Sequence, residues 1–433
     1  AAETGEIVIG RPFGQSYLAV RAVGDQLADS DAHGGRLVAV GHGASDAAGA
    51  EAMARALERL VAAAAEGRHF DSVQVRVPEK DDDLSAALDG LGEHDWALPL
   101  QVGPLYSEMM AFSSRLEHAL PDGADMIDGE LFSHPAVTAW MQREAARYQP
   151  VDDKRLGVIV HAHGAGFHWN ETMRQAASPL AEDYMLDFAF SMGGAGTLTR
   201  AIERLEQRGA EAVVIVRVFS MADSFLGGIE RLIGADYEAC RPGDLGPMHG
   251  HGAPAARVLT SLPVVTHGGL EDDPLFARAL LERARDLSRQ PERETVLLVA
   301  HGKGDDEGNA RWLDLLESLR QQMMEHGGDD FRDIRIGTWR EDWPDKREQA
   351  VGDVRNKIEA AMKDGGRVLL VPARTTGQGP ARELVPDLEF ELGEGFAPHP
   401  LFVEWLREQV RQGKESIAYA SPQAWQCRWP DAQ

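Results

Sequence analysis

Three runs of aliphatic residues close on the same dipeptide. Positions 37–43 read LVAVGHG, 158–164 read VIVHAHG and 296–302 read VLLVAHG. A short continuous apolar run bounded by glycine predicts a strand buried on both faces, and the stretches that follow carry helical spacing, clearest at 47–60 and 307–319. Further apolar runs predict second strands at 73–77, 186–191 and 334–339, and third strands at 96–100, 212–219 and 367–371, with helices such as 197–207 and 346–362 between them. Each unit closes on a proline that opens an apolar helix: Ser133-His134-Pro135, Asp272-Asp273-Pro274 and Pro398-His399-Pro400. Strands alternating with helices imply parallel sheets with crossover helices.

The pattern therefore predicts an α/β protein of three like domains, at 36–150, 155–288 and 294–412, each a small parallel sheet flanked by helices. Residues 1–35 read as an N-terminal extension, 413–433 as a C-terminal tail, and 240–252 as a loop insertion in the second repeat.

Charge narrows the partners. The chain has 433 residues, with 70 acidic against 44 basic side chains and a formal charge of -26. No Lys/Arg-rich run offsets that excess, which repels phosphate backbones and anionic membrane surfaces, so a nucleic-acid partner is not expected. The longest apolar stretches, such as 212–219, are too short and too interrupted to span a bilayer. The chain begins Ala1-Ala2-Glu3, as an exported protein does after cleavage behind small residues, which predicts a periplasmic location with a cytoplasmic one as the alternative. Cys240 and Cys427 lie too far apart in sequence to decide whether they pair.

In an open parallel sheet, ligands bind outside the carboxyl ends of the strands. His42, His163 and His301 each end a first strand, where an imidazole can hold a late first-row divalent ion or move a proton. The plain alternative is a histidine that caps the following turn. His161 precedes His163 by two residues, so on a regular strand both rings leave one face with about 6.6 Å between Cα atoms. It stands where the other repeats have Val40 and Val299, and His168 could fold back as a third ligand. The insertion carries Met248-His249-Gly250-His251-Gly252, with His267 beyond it; a Met/His/Cys set favours copper, against a glycine-rich loop with incidental histidines. No Walker A motif, nucleophile elbow or paired-cysteine zinc signature is present, and Met192-Gly193-Gly194-Ala195-Gly196 lacks the third glycine of a dinucleotide fingerprint.

The stretch 296–309, VLLVAHGKGDDEGN, resembles the opening of the class II tetrapyrrole chelatases, the sirohydrochlorin cobaltochelatase and ferrochelatase group, and the closing proline turns are similar too. The likeness runs over 36–412 in three copies, where the family usually has one or two. It implies that His42, His163 and His301 bind metal and accept pyrrole protons. It also implies a second histidine after the last core strand, and 100–108, 218–225 and 373–380 contain none. Candidate replacements nearby are Tyr106, Glu108, Met109, Met110, Met221, Asp223 and Glu383. The expected function is thus that of a transition-metal-binding protein of the chelatase type, inserting cobalt, iron or nickel into a sirohydrochlorin-like tetrapyrrole. The alternatives are an exported metallochaperone, for copper by the softness of its loop, that has lost chelatase activity, and a structural descendant without metal. A metal ion, a tetrapyrrole or a recipient metalloprotein, and a second copy of the chain are the partners implied.

Overall fold

The structure is a computed structural model that describes residues 10–79, 84–101, 112–127, 131–238 and 257–418. In repeat 1, helix α1 (Tyr17–Asp29) precedes β1 (Arg36–Gly41), α2 (Ala47–Ala64), β2 (Ser72–Arg76), α3 (Leu84–Ala87), β3 (Trp96–Leu100), α4 (Phe112–His118), β4 (Asp125–Met126) and α5 (Pro135–Ala146). Repeat 2 runs β5 (Leu156–Ala162), α6 (Phe167–Ala177), β6 (Met185–Phe190), α7 (Ala195–Gln207), β7 (Ala212–Val218), α8 (Leu226–Leu232), α9 (Ala235–Glu238), β8 (Val264–Gly268) and α10 (Pro274–Leu287). Repeat 3 runs β9 (Glu294–Ala300), α11 (Asp306–Glu325), β10 (Asp333–Thr338), α12 (Pro344–Met362), β11 (Arg367–Pro372), α13 (Ala381–Leu384), β12 (Glu391–Leu392) and α14 (Pro400–Ile417).

Each repeat builds a four-stranded, wholly parallel sheet in the same order: β2-β1-β3-β4, β6-β5-β7-β8 and β10-β9-β11-β12. The first strand of each repeat is central. Every residue of β5 and β9 is buried, as their unbroken apolar runs require. Alternation sends Val158 and Val160 into one packing layer and Ile159 into the other. The recurring proline motif is a helix start: His134, Asp273 and His399 each accept a backbone N–H two residues on, and the proline fills the first helical position, where no N–H is needed.

The closing helices of repeats 2 and 3 cross over. Helix α14 packs on β7, β8 and α6 of repeat 2, whereas α10 packs on α11 and β11 of repeat 3. One hydrophobic core therefore spans both repeats, from Val158 and Val214 through Leu280 to Leu298, Phe402 and Trp405. Gly413 lies so close to β7 that a Cβ there would sit 2.5 Å from Val214 Cγ1.

Repeat 1 has no repeat to trade with. There α1 packs on α2 and α5 as α10 packs on α11 and α14. Part of the stretch read from sequence as an extension is thus core: Tyr17, Leu18, Val20, Val23 and Leu27 are buried with Leu37, Leu98 and Val137. The other end differs similarly, since α14 continues past 412 to Ile417. Repeat 1 docks on repeat 2 through α9, where Glu238 is buried against Arg11, Arg143 and Arg147. Burial alone would raise this carboxyl, but the three guanidiniums outweigh it and hold its pKa at about 2. Arg147 also donates to the Ile417 carbonyl, tying α5 to the end of α14. Among the described residues, no helix is long and apolar enough to cross a membrane.

Candidate functional site

His42, His163 and His301 stand at the carboxyl ends of β1, β5 and β9, each at the centre of its sheet. The glycine after two of them is required by backbone geometry. Gly164 and Gly302 have φ of 76° and 81°, and a Cβ on either would come within 2.9 Å of the neighbouring strand, at Phe190 or Thr338. The turn thus lets the chain leave the sheet while pressed against the next strand.

His301 has the most developed surroundings. Its Nδ1 lies 2.9 Å from the Gly302 carbonyl, and its Nε2 lies 3.0 Å from Asp342 Oδ2 and 3.4 Å from Glu341 Oε1. Arg374, just past β11, donates to Glu341 Oε1 at 2.6 Å. Trp343 meets the imidazole edge-on at 5.6 Å and Trp312 lies tilted at 6.4 Å. Arg340 adopts a left-handed φ of 50° at the end of β10, and it locks this corner. Its N–H donates to the His301 carbonyl at 2.7 Å, and its guanidinium reaches the carbonyls of Lys303 and Gly304 and the carboxylate of Asp306.

The histidine pair read on β5 is divided between two environments. The strand ends at Ala162, so His163 is exposed on the turn, with Nδ1 2.6 Å from the Gly164 carbonyl. His161 is fully buried. Its Nε2 lies 3.1 Å from the Ser191 carbonyl, Phe219 meets its ring edge-on at 5.1 Å, and Nδ1 has no hydrogen-bond partner among the described residues. Burial pushes the ring's pKa down to about 4, with the Arg217 charge adding to that, so it is neutral near pH 7.

His168 is exposed in the first turn of α6, edge-on to Phe167 at 5.7 Å, and His42 is exposed against the Phe112 ring at 4.3 Å. His267 lies on β8, with Nε2 3.2 Å from Ser416 Oγ of α14. Cys240, Met248, His249 and His251 lie outside the described residues, as do Tyr106, Glu108, Met109, Met110 and Cys427. Among the described residues, no group of three or more His, Cys, Asp or Glu side chains is arranged to hold a metal ion. The carboxylates flank His301 rather than closing a shell with it.

The carboxyl ends of sheets 2 and 3 meet. Arg311 of α11 bonds Asp223 and Glu271, the loops after β7 and β8, at 2.9 and 2.7 Å. Met221 and Glu271 of repeat 2 line one small space with Trp312, Leu315 and Ala373 of repeat 3. Of the candidate replacements for a second histidine, Met221 is therefore buried in this junction, Asp223 is an ion-pair partner, and Glu383 is exposed on α13. Glu341, Asp342 and Arg374 were not among the candidates. Their one signal is position, directly after the second and third strands of repeat 3.

No family model matches the chain, and no curated protein matches it. Among solved structures, it is similar to a multi-domain protein of Deinococcus radiodurans described as having structural similarity to chelatases and two additional novel domains. The identity is 19% and the TM-score 0.39, over 60% of this chain and 55% of that one, so the match spans about half of that protein's length.

Proposed function

We propose that this protein handles a divalent transition-metal ion in the manner of a class II chelatase, with His301 as the receiving ligand at the junction of repeats 2 and 3. One observation carries the reading. Both ring nitrogens of His301 face oxygen acceptors, whereas a neutral imidazole has a single N–H to offer. A cation held between Nε2 and the carboxylates of Asp342 and Glu341 satisfies all three groups at once, and it takes the place of any hydrogen on that nitrogen, so binding releases a proton.

The imidazole nitrogen and carboxylate oxygens suit Co(II), Fe(II) or Ni(II). The cargo would pass to a tetrapyrrole of the sirohydrochlorin type. Its two N–H protons leave as the metal–nitrogen bonds form, and the imidazole and a carboxylate freed by the ion accept them. Export to the periplasm and delivery to a protein instead of a macrocycle form the second reading. It draws on 218–225 and 373–380, which have no histidine to share the proton transfer.

Titration of the purified chain with Co(II) at several pH values tests both. The expected result is one site whose affinity falls with acidity, weakened at least about 10-fold by His301→Ala and by a smaller factor by Glu341→Gln. Insertion into sirohydrochlorin above the spontaneous rate, followed by absorbance, separates chelatase from chaperone. Unchanged Co(II) binding in His301→Ala would sink the assignment.

A further inference from the structure

The peptide unit between Gly302 and Lys303 touches two side chains at once. Its carbonyl lies 2.9 Å from His301 Nδ1, and its N–H donates to Asn309 Oδ1 at 3.3 Å. Repeat 2 has the same arrangement: the Gly164 carbonyl is 2.6 Å from His163 Nδ1, and the Ala165 N–H donates to Asn170 Oδ1 at 3.0 Å. Both asparagines come from the first turns of the following helix, α11 or α6. Asn309 is buried, and its Oδ1 also accepts from Thr338 Oγ1 at 3.0 Å, which fixes the side chain from a second direction.

A trans peptide holds its C=O and N–H rigidly in one plane, pointing opposite ways. An acceptor that captures the N–H therefore aims the carbonyl. That carbonyl is an acceptor only, so it favours hydrogen on the imidazole nitrogen facing it, which in a neutral ring leaves the lone pair on Nε2. At His301 the carboxylates of Asp342 and Glu341 draw the hydrogen to Nε2 instead, and the aimed carbonyl competes with them. The same plane in repeat 1 is held differently: the Ala44 N–H donates to the backbone carbonyl of Pro78 at 3.1 Å, and 49–50 supplies only glycine and alanine.

We propose that Asn170 and Asn309 are positioning residues that favour the Nδ1–H tautomer of His163 and His301 through the intervening peptide plane, presenting the Nε2 lone pair at His163 and opposing the pull of the Asp342 and Glu341 carboxylates at His301. Neither asparagine touches the ligand itself. The tautomer is a property of the protein alone; only its consequence for an ion rests on the function proposed above.

The test uses the full chain labelled with 15N-histidine. Long-range 1H–15N spectra at pH 8 report which ring nitrogen is protonated, with His163→Gln and His301→Gln assigning the signals. The expected result in the wild type is Nδ1–H at His163 and a mixture of the two tautomers at His301. Asn309→Ala should move His301 towards Nε2–H and leave His163 alone, Asn170→Ala should drive His163 to a mixture and leave His301 alone, and Asn309→Asp, which keeps an acceptor oxygen, should restore the wild-type state. Co(II) affinity at His301 should fall about 10-fold in Asn309→Ala and recover in Asn309→Asp. An Nε2–H tautomer at His163 in the wild type, or an unchanged tautomer ratio at His301 in a folded Asn309→Ala protein, overturns the proposal. If Asn309→Ala does not fold, the less buried Asn170→Ala puts the same question to His163. Tautomers that shift as expected in a protein that binds no Co(II) would uphold the positioning role and remove the metal reading.

Discussion

His161 is a polar ring in a place where its fellow repeats carry valine, and the fold uses only one of its two nitrogens. The neutral state is enforced by burial, with a pKa near 4 in place of 6.5. The sign follows directly: the unfolded chain takes up a proton below about pH 6.5 and the native ring resists it, so stability present above 6.5 drains away as pH falls towards 4. His161→Val should therefore flatten the acid side of the stability profile. Urea midpoints at pH 5 and pH 8 check this, and the variant should gain on the wild type at pH 5. The His-Gly histidines were legible because glycine and a buried run mark the end of a strand. Glu341 and Asp342 were not, because an acidic pair after a strand looks like any solvated turn. What distinguishes them is the left-handed Arg340 that turns the chain towards His301, a backbone state with no signature in an arginine.

At the level of elements, nearly every core strand was readable, since an apolar run buried on both faces needs no information about its neighbours. The destination of the closing helices was not. An amphipathic stripe tells a helix to cover something, but α10 and α14 could each have covered their own sheet, and which one they cover depends on the space left by the other repeat. Gly413 gives a direct handle on the exchange. In an isolated helix, Gly→Ala gains about 1 kcal/mol. Here the added Cβ meets Val214, so Gly413→Ala should instead destabilise by about 1–3 kcal/mol, measured by denaturant unfolding. Val214→Ala in the same chain should recover part of the loss, and a purely additive double mutant would show that the two residues do not meet.

Over the whole molecule, the three domains share their cores unequally: one core runs through repeats 2 and 3 together, and repeat 1, completed by α1, closes another with Tyr237 of α9. Tryptophans report on each, Trp96 and Trp140 for repeat 1, Trp312 and Trp405 for the fused pair. Unfolding followed at 312 and 405 should coincide with that followed at a probe in repeat 2, while repeat 1 can separate. Glu238 joins the units. Glu238→Gln leaves three buried guanidiniums without their shared anion and should weaken the junction by about 3–5 kcal/mol, seen as an earlier repeat 1 transition. The carboxyl is depressed to about 2 from an ordinary 4.5, so its contribution is complete above pH 4.5 and lost as pH falls through 2.

The crossed helices also set a timetable for synthesis. A ribosome releases the chain from its N-terminus, and repeat 1, with α1 made first, can close as soon as α5 emerges. Repeat 2 cannot. Its sheet is complete at Gly268, but the helix that covers β7 and β8 ends at Ile417, and at about 5–20 residues per second that helix arrives roughly 7–30 s later. For that interval the part of β7 and β8 that α14 covers stays open, with only α6 in place on that side of the sheet. A message cut short anywhere in repeat 3 would therefore yield a protein with a finished first repeat and a second left open, a natural client for chaperones or proteases.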